Sequence, residues 1–120
     1  MIVDPKDLRE ARNILGFTQE QAGVVISGVS QGTISKWERS QINKQSKIRG
    51  IHVETRKQFS QTANLLVDLF PGRAERMMFL HSPQQELGGQ SPYKAILEDP
   101  PNGLLLVYRL LGRMAEGIPP

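Results

Sequence analysis

Twice within its first forty residues the chain stops one helix and starts another within a few positions, and few folds tolerate that. Gly16 is followed at Thr18 by a capping residue, and the turn Ser27-Gly28-Val29 is followed at once by Ser30. Glycine enters the left-handed conformation that ends a helix at little steric cost. A threonine or serine oxygen then accepts from a backbone N–H in the first turn of the next helix, and Gln21, three residues after Thr18, completes a reciprocal capping box. Upstream, Asp4-Pro5 reads as a cap with a first-turn proline, and Leu8, Ala11, Ile14 and Leu15 recur at helical spacing. Ala22, Val25 and Ile26 supply the inner face of the second helix. The third runs from Gln31 to about Arg39, with Ile34 and Trp37 three residues apart facing inwards. Three short helices joined by tight turns are the prediction for this third of the chain.

A glycine-bearing turn between two short helices, the second polar on its outer side, is the signature of a helix-turn-helix. The residues also carry a resemblance. Leu8-x-x-Ala11-Arg12-x-x-Leu15-Gly16-Phe17-Thr18-Gln19-Glu20-Gln21, followed by Gly28-Val29-Ser30-Gln31-x-Thr33-Ile34-Ser35-Lys36-Trp37-Glu38, is similar to the Xre/Cro repressor type over residues 8–40. One residue more than the usual spacing separates Thr18 from Ser30, most simply placed at Ser27. The resemblance implies that Glu38 meets Arg12 of the first helix as a structural ion pair, which would also neutralise a carboxylate close to DNA. In such a motif the third helix enters the major groove with its N-terminal half towards base edges. Gln31, Gly32, Ser35 and Lys36 are then the exposed positions, with Gln31 suited to an adenine edge and Lys36 to a guanine. Phosphates fall to Gln19 and the backbone at the start of the second helix, and to Thr33 and Arg39.

The charge distribution supports the same partner. The formal charge of +3 is concentrated: residues 36–57 carry seven Lys/Arg against two Asp/Glu. Lys44, Lys47 and Arg49 lie in this block, where they extend the grip on phosphate. Residues 40–52 are polar, basic and weakly periodic, and read as a loop or short helix joining two modules, 1–50 and 51–120.

Beyond the joint the pattern stays helical. Phe59, Ala63, Leu66, Val67 and Phe70 line one face of a helix predicted over residues 53–70, which Pro71-Gly72 ends. A short helix over 73–80 carries Met77, Met78 and Phe79. Ser91 caps and Pro92 opens a helix holding Ala95, Ile96 and Leu97, and Asp99-Pro100-Pro101 ends it. Asn102 caps a last helix over 103–116, closed by Gly117. Leu104, Val107, Tyr108, Leu111 and Met114 make its main apolar stripe, with Leu106 and Leu110 on the flank, an arc wide enough to suggest either a central helix or a partner surface. The expected fold is all-α: a helix-turn-helix bundle followed by a small helical domain, whose expected role, dimerisation and partner binding, rests on the residues that follow.

Phe79-x-x-Ser82-Pro83-x-x-x-Leu87-Gly88-Gly89-x-Ser91-Pro92-x-x-Ala95-Ile96-Leu97, with an apolar helix ending Met114-Ala115-Glu116-Gly117, resembles the C-terminal domain of Xre/MbcA/ParS-type antitoxins over residues 58–120. The connection Asp99-Pro100-Pro101-Asn102 departs from the glycine-containing turn that family often has. The resemblance implies a homodimer that binds the operator of its own operon and neutralises a toxin of the RES class, which consumes or transfers from NAD. It also implies that Glu116, Gly117, Ile118, Pro119 and Pro120 enter or block the toxin's active site.

Other functions find little support. Without cysteine there is no disulfide, thiolate chemistry or Cys-ligated zinc. His52 and His81 share no acidic cluster at ligand spacing, no nucleophile pattern lies beside them, and Gly88-Gly89 reads as a turn. No enzyme activity, cofactor or metal is expected. No apolar run approaches the roughly 18 residues of a membrane span, and no leader of signal-peptide type opens the chain, so the expected compartment is the cytoplasm. Two rivals remain: a stand-alone phage-like repressor whose C-terminal half only dimerises, and a protein-binding inhibitor with a vestigial helix-turn-helix, which Lys36 and the basic joint disfavour.

Overall fold

The computed structural model describes residues 8–26, 30–39, 51–100 and 102–117, with the side chains of Trp37, Arg39 and residues 51–53 outside that description. Among the described residues there are seven α-helices, one short 3-10 turn and no strand. The helices are α1 (Leu8–Leu15), α2 (Gln19–Val25), α3 (Gln31–Arg39), α4 (Ile51–Leu69), α5 (Arg73–Leu80), α6 (Pro92–Glu98) and α7 (Asn102–Ala115), and the 3-10 turn is Gln85–Leu87.

The cap expected at Asp4-Pro5 and the turn Ser27-Gly28-Val29 lie outside the described residues, and the boundaries inside that description have local causes. Gly16 ends α1 at φ +80°, and both its N–H and that of Phe17 return to the Arg12 carbonyl, at 2.9 and 3.0 Å. Thr18 Oγ1 accepts from Gln21 N at 3.1 Å while Gln21 Oε1 accepts from Thr18 N at 2.9 Å, the reciprocal cap expected of these residues. Ser30 Oγ accepts from Thr33 N at the start of α3, and Ser91 Oγ from Lys94 N at the start of α6. Helix α4 begins two residues earlier than the apolar pattern indicates and ends at Leu69. There Arg76 Nη1, from the next helix, donates to the Phe70 and Pro71 carbonyls at 3.0 and 2.7 Å. In α7, Asn102 is the first helical residue instead of a cap, and its amide reaches the Asp99 carboxylate at 3.1 Å.

The core is continuous. Leu8, Ala11, Leu15, Ala22, Val25, Ile26 and Ile34 join Phe59, Ala63, Leu66, Leu80, Ile96, Leu104, Val107, Leu110 and Leu111 in one buried cluster. Helix α4 lies at its centre, packed on α1 on one side and α7 on the other. That position explains buried polar residues such as Ser60 and Thr62 among its apolar ones, Thr62 answering its own hydroxyl through the Gln58 carbonyl at 2.7 Å. Phe17, in the α1–α2 turn, inserts between Phe59 (ring centroids 6.2 Å apart) and Tyr93 (5.0 Å). The wide apolar arc of α7 is covered from within the chain by α4, α6 and the 3-10 turn. Leu110 belongs to its buried stripe, whereas Leu106 is the large apolar side chain of α7 that stays exposed. Tyr108 and Met114 are half-buried. Gly103 lets α7 approach α6 so closely that a Cβ there would collide with the Ala95 carbonyl.

Candidate nucleic-acid interface and partner-binding segment

The surface that should face DNA is assembled from the caps upward. Ser30 fixes where α3 begins, and Ile34 (0% exposed) fixes which side of it is buried. Of the four residues expected to be exposed towards the groove, Gln31, Gly32 and Lys36 are thereby exposed, whereas Ser35 is half-buried, as is Thr33 beside them. The Thr33 hydroxyl sits 3.0 Å from Ser30 Oγ and is held at the cap. The side chain of Arg39, and Lys44 and Lys47, lie outside the described residues, as does Ser27, where the extra residue was placed.

Behind that surface stands a buried carboxylate. Glu38 is 2% exposed, and Arg12 reaches it with Nε at 2.7 Å and Nη2 at 3.3 Å, the ion pair that the resemblance implied. Arg12 also donates to the Phe17 carbonyl at 3.1 Å, so one guanidinium ties α1, the α1–α2 turn and α3 together. Arg9 Nε lies 3.5 Å from Glu38 Oε1. Burial pushes the Glu38 carboxyl up, but the hydrogen bonds from Arg12 and Gln19, the Arg12 charge and the Arg9 contact together outweigh it. The net result is an acid held below its ordinary value of 4.5. A charge so deeply placed is tolerable because every side of it meets a donor.

Gln19 was expected to hold a phosphate, and the structure gives it internal partners. Its Nε2 donates to Glu38 Oε1 at 3.0 Å, and its Oε1 accepts from Gln31 Nε2 at 3.4 Å. One of its two amide hydrogens remains for an outside acceptor. Arg12, Thr18, Gln19, Glu20 and Gln31 line a shallow open depression beside the start of α3. Sequence reasoning missed Arg9 and the Gln19 bridge. Arg9 was findable, since it stands one turn from Arg12 and so on the side that meets Glu38. It also missed Tyr93, whose hydroxyl donates to Gln21 Oε1 at 3.2 Å across 72 positions of sequence, where no local pattern could have shown it.

At the other end, α7 delivers Glu116 and Gly117 to the surface, both exposed, with Gly117 at φ +81° turning the chain out of the helix. Ile118, Pro119 and Pro120 lie outside the described residues. Arg113, one turn before, pairs with Glu86 of the 3-10 turn and anchors the end of α7. No cluster of His, Cys, Asp and Glu suited to a metal occurs among the described residues, and none of their helices is long and apolar enough to cross a membrane.

Comparison with protein families gives two matches. Residues 8–47 match a helix-turn-helix family. Residues 65–117 match the family described as the antitoxin Xre/MbcA/ParS C-terminal toxin-binding domain, a span that closes at the exposed end of α7. Both are binding modules. A search of curated proteins returned no match.

Proposed function

We propose that the chain is an Xre/MbcA/ParS-type antitoxin with a DNA-binding helix-turn-helix, the reading that its two family matches support, and that it represses its own operon and neutralises a RES-class, NAD-consuming toxin with its C-terminal end. Residues near 50 divide the two tasks, 1–50 for operator and 51–120 for dimerisation and toxin. A homodimer would present two copies of α3 to two half-sites about one helical turn of DNA apart.

For DNA, Gln31 and Lys36 read base edges, with Gly32 and Ser35 between them. Gln19, Thr33 and Arg39 hold phosphates, and Lys44 and Lys47 extend the electrostatic grip. The toxin meets Glu116, Gly117, Ile118, Pro119 and Pro120. Gly117 turns the chain away from the last helix. After it, Ile118 offers one apolar anchor, and two prolines leave little conformational entropy to lose on binding. The single observation carrying the toxin assignment is that the toxin-binding family match ends at residue 117, where the exposed end of α7 stands clear of the core.

The test is deletion of residues 116–120 in cells that express the toxin encoded beside this gene. Folding and operator affinity should be unchanged while protection from the toxin is lost. A truncated protein that protects as well as the full chain would move inhibition to the helical surface around Met77 and Tyr108, both half-buried, with Phe79 buried beneath it.

A further inference from the structure

We propose that Glu38, buried and remote from any base, is a specificity-determining positioning residue: its carboxylate sets the direction of a chain of side-chain amides that ends at Gln31 on the recognition surface. The inference rests on the operator-binding reading and concerns how one base is chosen.

The argument is one of hydrogen-bond polarity. An ionised carboxylate accepts and cannot donate. Glu38 Oε1 therefore takes a hydrogen from Gln19 Nε2, at 3.0 Å, which turns the NH2 end of that amide inwards. The carbonyl end of Gln19 must then face away from Glu38, and it accepts from Gln31 Nε2 at 3.4 Å. Gln31 in turn has one N–H committed, so its carbonyl and its second N–H remain for the groove. One acceptor beside one donor complements adenine, which offers N7 and the N6 amino group. It does not complement guanine, whose N7 and O6 both accept. Reversing Gln31 would set its carbonyl against that of Gln19, two acceptors with no hydrogen between them.

The start of this chain is fixed. Glu38 is 2% exposed, and Arg12 holds it from Nε at 2.7 Å and Nη2 at 3.3 Å. Glu38→Gln keeps the shape but removes the polarity, because an amide at this position can donate to the Gln19 carbonyl. Gln19 would then reverse, offer its NH2 to the Gln31 carbonyl, and leave Gln31 with two outward N–H groups suited to guanine.

The experiment selects binding sites from a randomised DNA duplex pool with the full-length protein, its Gln31→Ala variant, Glu38→Gln and Gln19→Ala. Gln31→Ala identifies the base column that this residue reads. In the wild type that column should favour adenine. In Glu38→Gln its preference over guanine should fall by about fivefold or more, the lower end of what one bidentate base contact contributes. All other columns should be unchanged, which a general loss of structure would not allow. Gln19→Ala breaks the same chain while leaving the Arg12–Glu38 pair in place, and it should relax the same column; it decides the matter alone if Glu38→Gln does not fold. A guanine column in the wild type, or an adenine preference that survives both variants, overturns the relay while leaving operator recognition standing. A motif in which no column responds to Gln31→Ala likewise overturns the relay alone, whereas a wild-type protein that enriches no motif overturns both.

Discussion

Glu38 shows how one side chain can serve stability and function at once. Removing its principal partner should be expensive: Arg12→Ala leaves a buried carboxylate with weaker company, and breaking such pairs costs about 3–5 kcal/mol when nothing compensates. Arg9 and Gln19 still face the carboxylate, so the measured loss in a denaturant titration should fall at or below that range. A loss under about 0.5 kcal/mol, the size of an ordinary surface substitution, would mean that the pair is not internal. The same group predicts a pH dependence. Its folded-state pKa lies below the ordinary 4.5, so the unfolded chain binds this proton more tightly than the native protein. Its contribution is therefore complete above that value and is lost as the pH falls through the depressed one. Denaturation midpoints of wild type and Glu38→Gln should differ by a constant amount at neutral pH and converge below about 4.5. A gap that stays constant into strong acid contradicts the assignment. The pair itself was legible in sequence only through resemblance, since residues 26 apart share no local pattern. The third partner, Gln19, was assigned outward because a polar side chain at a helix start gives no sign of which way it turns.

Among the elements, what could be read was what local chemistry decides. Gly16, Thr18 with Gln21, Ser30, and Ser91-Pro92 each act within four residues of themselves, and each helix boundary follows. What could not be read depends on a neighbour far along the chain. Gly103 looks like a weak residue near the start of a helix, yet it is buried against the Ala95 carbonyl and sets the spacing of α6 and α7. Gly103→Ala ought to gain up to about 1 kcal/mol from helix propensity. Overpacking of a tight contact costs about 1–3 kcal/mol, and here the obstacle is backbone, which cannot swing aside. Net destabilisation is the expected result in urea melts, and a more stable Gly103→Ala protein would show that the two helices do not meet so closely. The flank of α7 was misjudged for a related reason. Leu106 and Leu110 sit four residues apart on one side of a helix, and only the placement of its packing partners, α4, α6 and the 3-10 turn, decides that Leu110 is covered and Leu106 is not.

At the scale of the whole molecule, the two functions share one interior. Two regions joined by a basic segment were expected from composition, and a small helical module of about 60 residues is marginal on its own. The structure supplies the missing burial across the joint. Phe17 of the α1–α2 turn packs on Phe59 and Tyr93, Met77 of α5 lies against the Gly16 turn, and the Tyr93 hydroxyl bonds the very glutamine that caps α2. Helices α1 and α4 are in direct contact as well, so the surface offered to DNA is braced by residues of the toxin-binding half. The full chain should accordingly unfold in one cooperative step, with calorimetric and van't Hoff enthalpies that agree. Tyr93 is half-buried, so Tyr93→Ala should cost less than the roughly 3–5 kcal/mol of emptying a fully buried aromatic site; it should lower that one transition as a whole, and it should weaken operator binding near physiological temperature although Tyr93 lies far outside the helix-turn-helix. A fragment of residues 1–50 loses Phe59, Tyr93 and the cover of α4, and its circular dichroism should show much less helix than α1, α2 and α3 contribute in the intact protein. Two separate transitions in the full chain, or a 1–50 fragment that folds and binds the operator at full strength, would mean that the shared core is a contact between independent domains and that neither depends on the other for its shape.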